Sequence, residues 1–313
     1  MKVLNVTAKS PRQITIIGEV MVEISDLDLG RGQAAVGIAG DSFNTAVHLA
    51  RRLPAQEWRV AYATQIGRDS MSDQIVALMA AEGISSALVG RHPTRLPGIY
   101  AIERDARGER SFRYWRSEAA ARRLFSEGEP ELSALGAADA VFLSLISLAI
   151  LPAAVRTTLI GTLTAMRRRG ALIAFDSNFR PALWPDVAAA REVAAQMWQA
   201  TTLALPSRDD EAKLWPDETP QELFARLAGH GVEEIALKDG AAGPQLWVGG
   251  PLICGPFAPA ERVVDTSGAG DAFNAGYLGA RMVGESPAQA AMHGHALACE
   301  VIGHRGAILR RAG

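Results

Sequence analysis

Short runs of aliphatic and β-branched residues recur along the chain, most of them followed by a turn and a stretch with apolar positions three and four apart. The runs read as buried strands and the stretches after them as amphipathic helices. Ile14-Thr15-Ile16-Ile17-Gly18-Glu19 is the first strand, and Val20-Met21-Val22-Glu23-Ile24 continues extended with alternating character. After a glycine-rich link (Gly30, Gly32, Gly37), Gly40-Asp41-Ser42 opens a helix through Arg52. Val60 to Gly67 is the next strand, and Asp69 caps a helix that runs to Glu82 and stops at Gly83. From Ala140 the alternation resumes with a strand Val141 to Leu145, a helix from Pro152 through Arg169 and a strand Ala171 to Asp176. There follow a helix near 187–199, a strand Thr202 to Leu205, helices near 208–214 and 219–229, and a strand and turn Glu234 to Gly240. Helices near 270–283 and 287–302 close the chain. Strands alternating with helices predict an α/β fold with a mostly parallel, doubly wound sheet and right-handed crossovers.

The rhythm breaks between about Arg91 and Ala121. Ile99 to Glu103 and Arg110 to Trp115 flank Asp105-Ala106-Arg107-Gly108, a hairpin turn. This hairpin is aromatic and arginine-rich, unlike the aliphatic strands around it. It reads either as a solvated edge hairpin or as a flap over the sheet.

Composition narrows the partners. The 313 residues are 48% hydrophobic and 21% charged, ordinary for a globular protein, and the net charge of -2 argues against nucleic acid. The positive charge that an anionic ligand needs must therefore be local. Cys254 and Cys299 lie too far apart in sequence to suggest a disulfide framework or a zinc site, and a reducing cytoplasm fits them best. The most apolar run, Val141 to Leu151, holds two serines and is too short to span a bilayer, so no membrane is expected.

In doubly wound sheets ligands sit beyond the carboxyl ends of the strands. Asp176, Asn178, Arg180, Ser207, Asp210, Lys238 and Asp239 all follow strands at that edge. The sharpest feature is Val263-Val264-Asp265-Thr266-Ser267-Gly268-Ala269-Gly270-Asp271-Ala272-Phe273. Its glycines let several N–H groups point one way at the open start of a helix, which binds anions. A carboxylate beside such a hole serves as a helix cap or as a base that takes a proton from a hydroxyl attacking phosphate, the helix terminus helping to keep it ionised. There is no Gly-x-x-x-x-Gly-Lys-Ser/Thr loop, and Phe273 stands where a dinucleotide fingerprint needs a third glycine.

The longer string Asp-Thr-Ser-Gly-Ala-Gly-Asp-Ala-Phe (265–273) resembles the C-terminal signature of the ribokinase-like, or phosphofructokinase B, carbohydrate kinases. Gly18 to Ile24, Gly40 to Ala46, Tyr114 to Ala120 and Phe175 to Trp184 extend the resemblance over nearly the whole length, to the branch acting on 2-keto-3-deoxygluconate. The resemblance implies one three-layer α/β/α kinase domain over 1–313, with a small β-lid from about 20–37 and 91–118. It implies ATP-dependent phosphorylation of that sugar acid to its 6-phosphate, and pairing of two chains through their lids. Asp271 would be the base, and the amides of Gly268, Ala269 and Gly270 the anion hole. Gly40, Asp41, Asn44, Tyr100 and Tyr114 would contact sugar, with Arg116 and Arg180 on its carboxylate, which planar, bidentate arginines suit. Ser207, Lys238 and Gly240 would meet the nucleotide, although many relatives have Asn where Ser207 stands. Asp210 or Glu211 would serve Mg²⁺ through water, and a monovalent cation such as K⁺ would sit near Asp265. His48, His293 and His295 read as packing or adenine-wall residues. A neutral-sugar kinase and a silent sugar-binding regulator are the rival readings; an intact Asp271 argues against the regulator.

Overall fold

The computed structural model describes residues 11–104, 110–126, 128 and 130–310, so the turn read at Asp105 to Gly108 lies outside the described residues. Ten strands form the main sheet: β1 (Arg12–Ile17), β4 (Trp58–Ile66), β5 (Ile84–Ser85), β6 (Val89–Arg91), β9 (Ala140–Ser144), β10 (Leu172–Asp176), β11 (Leu203–Ala204), β12 (Glu234–Leu237), β13 (Gln245–Trp247) and β14 (Pro251–Leu252). Their order is β14-β13-β12-β11-β10-β9-β1-β4-β5, with β6 also on β4, and only the β12–β13–β14 pairs are antiparallel. The helices are α1 (Asp41–Ala50), α2 (Ser70–Ala81), α3 (Leu145–Ile150), α4 (Ala153–Arg168), α5 (Val187–Ala200), α6 (Arg208–Leu214), α7 (Pro220–Gly229), α8 (Ala269–Met282) and α9 (Pro287–Ile302).

Alternation along each central strand makes the layers. Ile14 and Ile16 of β1 and Phe142 of β9 join a core with α1, α2, α8 and α9. Ile17, Val141 and Leu143 point to the other face, against α3, α4, α5 and α7. The caps were written locally: Asp69 accepts N–H bonds from Met71 and Ser72, and Thr219 and Ser286 close capping boxes on α7 and α9. α8 and α9 approach closely at Gly276, where a Cβ would stand 2.7 Å from the His293 carbonyl oxygen.

A second sheet, in the order β3-β2-β7-β8, comprises β2 (Met21–Asp28), β3 (Gln33–Ala39), β7 (Gly98–Arg104) and β8 (Arg110–Trp115). β2 pairs in parallel with β7, and β7 antiparallel with β8, so Glu23, Tyr100 and Tyr114 share one row. The glycine-rich link is thus in large part a strand. β3 is held by backbone pairing to β2 from Met21↔Ala39 to Asp28↔Gln33, and its mostly exposed small residues leave little hydrophobic signal. The apolar run after Val141 also divides. Ser144 ends the strand and caps α3, its side chain accepting from Ser147 N–H, which turns Leu145–Ile150 into helix.

The chain leaves β1 toward β4 on one side and returns with β9 on the other. That reversal opens a crevice at the carboxyl ends of β1 and β9.

Candidate active site

Residues from both sides of the crevice meet in one hydrogen-bonded group. Asp41, at the start of α1, accepts from the Ser144 hydroxyl at the end of β9 and from Asn178 Nδ2 at 3.2 Å. The Ser147 hydroxyl reaches across to the Ile17 carbonyl at 2.8 Å, tying the start of α3 to the end of β1. Asn44, one turn into α1, accepts from the Gly40 N–H at 3.3 Å and donates to Asp271 Oδ2 at 2.8 Å. A buried side chain (5% exposed) therefore links the 40–41 turn to α8.

The start of α8 needs its glycine twice over. Gly268 is left-handed at φ 75°, and a Cβ there would stand 2.6 Å from the Ala307 Cβ. Behind it, the buried His48 bonds the Ala307 carbonyl at 2.9 Å, and burial lowers its pKa to about 4, so the ring is neutral. Gly270 and Asp271 lie in the first turn, where N–H groups have no intrahelical acceptor. Ala269 N–H instead turns back to the Thr266 carbonyl at 3.3 Å, leaving Gly268 and Gly270 as the open donors of the expected three. Asp265 Oδ1 and Oδ2 accept from Ser267 N–H at 2.9 Å and Gly306 N–H at 2.8 Å, fastening the loop before the signature to the turn behind it.

Asp271 itself is half-buried. Loss of water raises its pKa to about 8; the nearby charges of Asp41 and Asp176 push the same way, against the Asn44 hydrogen bond and the Lys238 ammonium. The helix terminus favours the ionised form, but desolvation beside two other acids outweighs that help.

Lys238 is built into the floor. Its ammonium donates to Asp176 Oδ2 at 2.7 Å and Asn274 Oδ1 at 3.0 Å, and Asn274 Nδ2 donates to the same Asp176 oxygen at 2.6 Å.

The two arginines expected on a substrate carboxylate each carry an acid of this chain. Arg116 is paired with Glu19, which is 1% exposed, and its guanidinium lies 5.6 Å from the Tyr114 ring centre. Burial raises the Glu19 pKa against the pull of Arg116. Arg180 is half-exposed and uses Nη1 for the Phe179 carbonyl at 2.9 Å and Asp210 at 3.2 Å, which leaves Nε and Nη2 open. Tyr100 is buried with its hydroxyl on Glu23, while Tyr114, 49% exposed, lies 5.8 Å from it ring to ring. Burial raises the Tyr114 phenol pKa, and the charges of Arg116 and Arg180 oppose this. The second sheet thus presents its aromatic row toward the arginines.

At the edge expected to meet nucleotide, Ser207 caps α6 and pairs with Lys238 as an isolated bridge, and Gly240 opens a 3₁₀ turn at φ 51°. Asp210 is engaged by Ser207, Arg180 and Lys213. Glu211 points away, buried on Arg226 at 2.7 Å, and its pKa is raised by that burial. Of the two acids expected to serve Mg²⁺, Asp210 is thus held by Arg180 and Lys213, and Glu211 by Arg226 and Ser177. His293 pairs with Glu285 at 3.0 Å and His295 with the Ala258 carbonyl at 2.7 Å, away from Asp271's contacts. A cavity of about 490 Å³ lined by Arg12, Trp58, Asp139 and Arg169 lies at the opposite, amino end of the strands and belongs to no part of this group.

Glu19, Ser144 and Asn274 join the group without a motif that marks them in the sequence. A charge just past an apolar strand, a serine at the end of another, and a polar residue one turn after Asp271 on an apolar helix were the signals available.

Comparison with known proteins follows the same outline. The pfkB family of carbohydrate kinases matches residues 11–311. A protein of Dickeya dadantii named 2-dehydro-3-deoxygluconokinase is 40% identical over 305 residues, 95% of this chain and 97% of its own. Two solved structures share the fold: a 2-dehydro-3-deoxygluconokinase of Thermotoga maritima (TM-score 0.82, 18% identity, 96% of this chain and 95% of that one) and an E. coli chain described as a ribokinase II in complex with ATP and Mg²⁺ (TM-score 0.79, 20% identity, 95% and 94%).

Proposed function

The chain belongs to the pfkB family of carbohydrate kinases, and on that premise we propose that it transfers the γ-phosphoryl group of ATP to 2-dehydro-3-deoxygluconate, at the 6-hydroxyl, with Asp271 as general base. The observation that carries the assignment of roles is Asp271 itself, held by Asn44 at the open start of α8 beside Gly268 and Gly270. The N–H groups there meet the charge of the group in transfer, and Asp271 orients the hydroxyl and accepts its proton. Gly40 and Asp41 lie across the crevice as sugar contacts. Arg180, through its open Nε and Nη2, and Arg116, fixed by Glu19, meet the carboxylate under the Tyr100–Tyr114 row. Ser207 and Gly240 flank the nucleotide. The second sheet acts as a lid, and exposed Leu27, Leu29 and Val36 support its pairing with a second copy of the chain.

Mg²⁺ bound with ATP would neutralise phosphate charge. Asp210, once released by Arg180, is the residue to touch its water shell; among the described residues no cluster of three acids, histidines or cysteines would hold the ion alone. A monovalent cation at Asp265 would use the lone pairs its two oxygens keep after accepting from the Ser267 and Gly306 N–H groups.

A substrate panel tests the reading. 2-Dehydro-3-deoxygluconate should exceed fructose and ribose by at least about 30-fold in kcat/KM, because leaving a buried charge without its partner costs roughly 2–5 kcal/mol. Arg180→Ala should raise KM for the acid strongly. Equal turnover of fructose, or an unchanged KM in the variant, would remove the sugar-acid assignment.

A further inference from the structure

The triangle under α8 is more elaborate than packing requires. Lys238 follows β12, Asp176 ends β10 and Asn274 lies one turn after Asp271, so three separate elements converge on one ammonium. The Lys238 and Asp176 side chains are 10% and 5% exposed, and Asn274 is 1% exposed. A buried ion pair is weak support for stability, since apolar groups of the same volume do as well or better. Its place in the fold is more telling. A Cβ on Gly270 would stand 3.7 Å from Lys238 Nζ, which puts the ammonium at the mouth of the anion hole.

We propose that Asp176 and Asn274 are positioning residues that hold the Lys238 ammonium beside the open start of α8, where it meets the phosphoryl group in transfer and balances the charge around Asp271. The inference rests on the reading of Asp271 as base. An untethered lysine here would swing onto Asp271 or Asp41 and neutralise the groups that must bind and activate the hydroxyl. Asp176 prevents this with a shorter bond from one side, and Asn274 fixes the angle from the helix that carries the base. Asn274 also donates to Asp176, so the carboxylate is itself held in place. The arrangement puts fixed positive charge where negative charge gathers during transfer, at no reorganisation cost in that step.

Asp271 is faced by Asp41 from α1, Asp176 from β10, Lys238 from the end of β12, and the phenols of Tyr62 on β4 and Tyr100 on β7, with Asn44 as its hydrogen-bond donor. Removing a negative neighbour and removing a positive one must therefore move its titration in opposite directions. In Asp176→Asn the acid limb of kcat/KM should shift to lower pH by roughly one unit, and in Lys238→Met to higher pH by a similar amount. kcat should fall about tenfold in the first and roughly 10²–10³-fold in the second, as for loss of an oxyanion donor. Lys238→Arg keeps the charge without the fit, so its limb should stay near the parent's while kcat remains reduced. This variant, with Asp176→Asn, decides the matter should Lys238→Met not fold.

Limbs that stay together in the variants, with stability alone changed, would make the triangle structural and overturn the proposal; so would shifts of the same sign. The parent reading fails separately. Asp271→Asn with kcat within about tenfold of the parent removes the base, whereas a dead Asp271→Asn with coincident limbs removes only the role of the triangle.

Discussion

At the scale of a residue, Asp271 is asked for two things that oppose each other. It must be close enough to Asn44, Lys238 and the α8 amides to work on a hydroxyl, and that closeness strips the water that would keep it charged. With a pKa of about 8 it is largely protonated in the empty site at neutral pH, so kcat/KM should climb with pH until about 8. Replacement by Asn keeps the shape and the contact with Asn44's amide region while removing the base. kcat should fall roughly 10²–10⁴-fold with ATP affinity little changed. Stability should move the other way. An acid whose folded pKa lies above its unfolded value near 3.8 binds more protons when folded, so the parent loses stability as pH rises between about 4 and 8. Asp271→Asn should therefore melt higher than the parent at pH 8, by about 2–4 °C, and at about the same temperature at pH 4. A variant that is both active and less stable at pH 8 would show that Asp271 is a helix cap.

Elements were more legible than the contacts between them. Every long strand and helix of the main sheet is visible in the apolar run or periodicity, because β1, β4, β9 and β10 are buried on both faces, α4, α5, α7 and α9 bury one stripe, and α8 is buried almost all round. β3 and α3 were not, and for different reasons: one is held by backbone pairing with little burial, the other by a single serine cap inside an unbroken apolar run. The site was legible where a motif concentrates it, at 265–271, and obscure where a partner lies far off in sequence. Glu19 meets Arg116 across 97 positions, and Asp176 meets Asn274 across 98. No local pattern announces such pairs. His48 is a third case, its ring bonding a carbonyl 259 positions away in the turn that backs Gly268. Because its pKa is lowered to about 4, the unfolded chain binds a proton there that the folded chain refuses. Stability should fall as pH drops from about 6.5 toward 4, by up to about 2–3 kcal/mol from this group. His48→Gln, measured by chemical denaturation across that range, should show a shallower pH dependence; an identical slope would mean the turn behind the anion hole is not titrated through His48.

The whole molecule is a three-layer body with a small sheet standing at its active edge, and the join between the two is compact. β2 leaves through Met21, β7 begins at Gly98 and β8 hands over to Arg116, and all three converge on Glu19. A Cβ on Gly98 would stand 2.5 Å from Glu19 Oε1 and 3.2 Å from both Met21 Cγ and Arg116 Cβ. Apart from that joint, the sheet's own buried cluster is small: Met21, Ala39 and Tyr100, with Ile102 packed against them. Its inner row of Glu23, Tyr100 and Tyr114 therefore has more to gain from a bound sugar acid than from its own packing. Closure over substrate would dry the reacting hydroxyl and keep water from taking the phosphoryl group. Saturating substrate should slow amide exchange at 99–103 and 111–115 by about tenfold or more, while α4 and α5 on the far face stay unchanged. Pairing of two lids would protect 33–39 as well, and that protection should grow with protein concentration and not with substrate. Exchange in β7 and β8 that ignores saturating substrate, in protein shown to be fully active, would leave the hairpin an edge of the fold and not a lid.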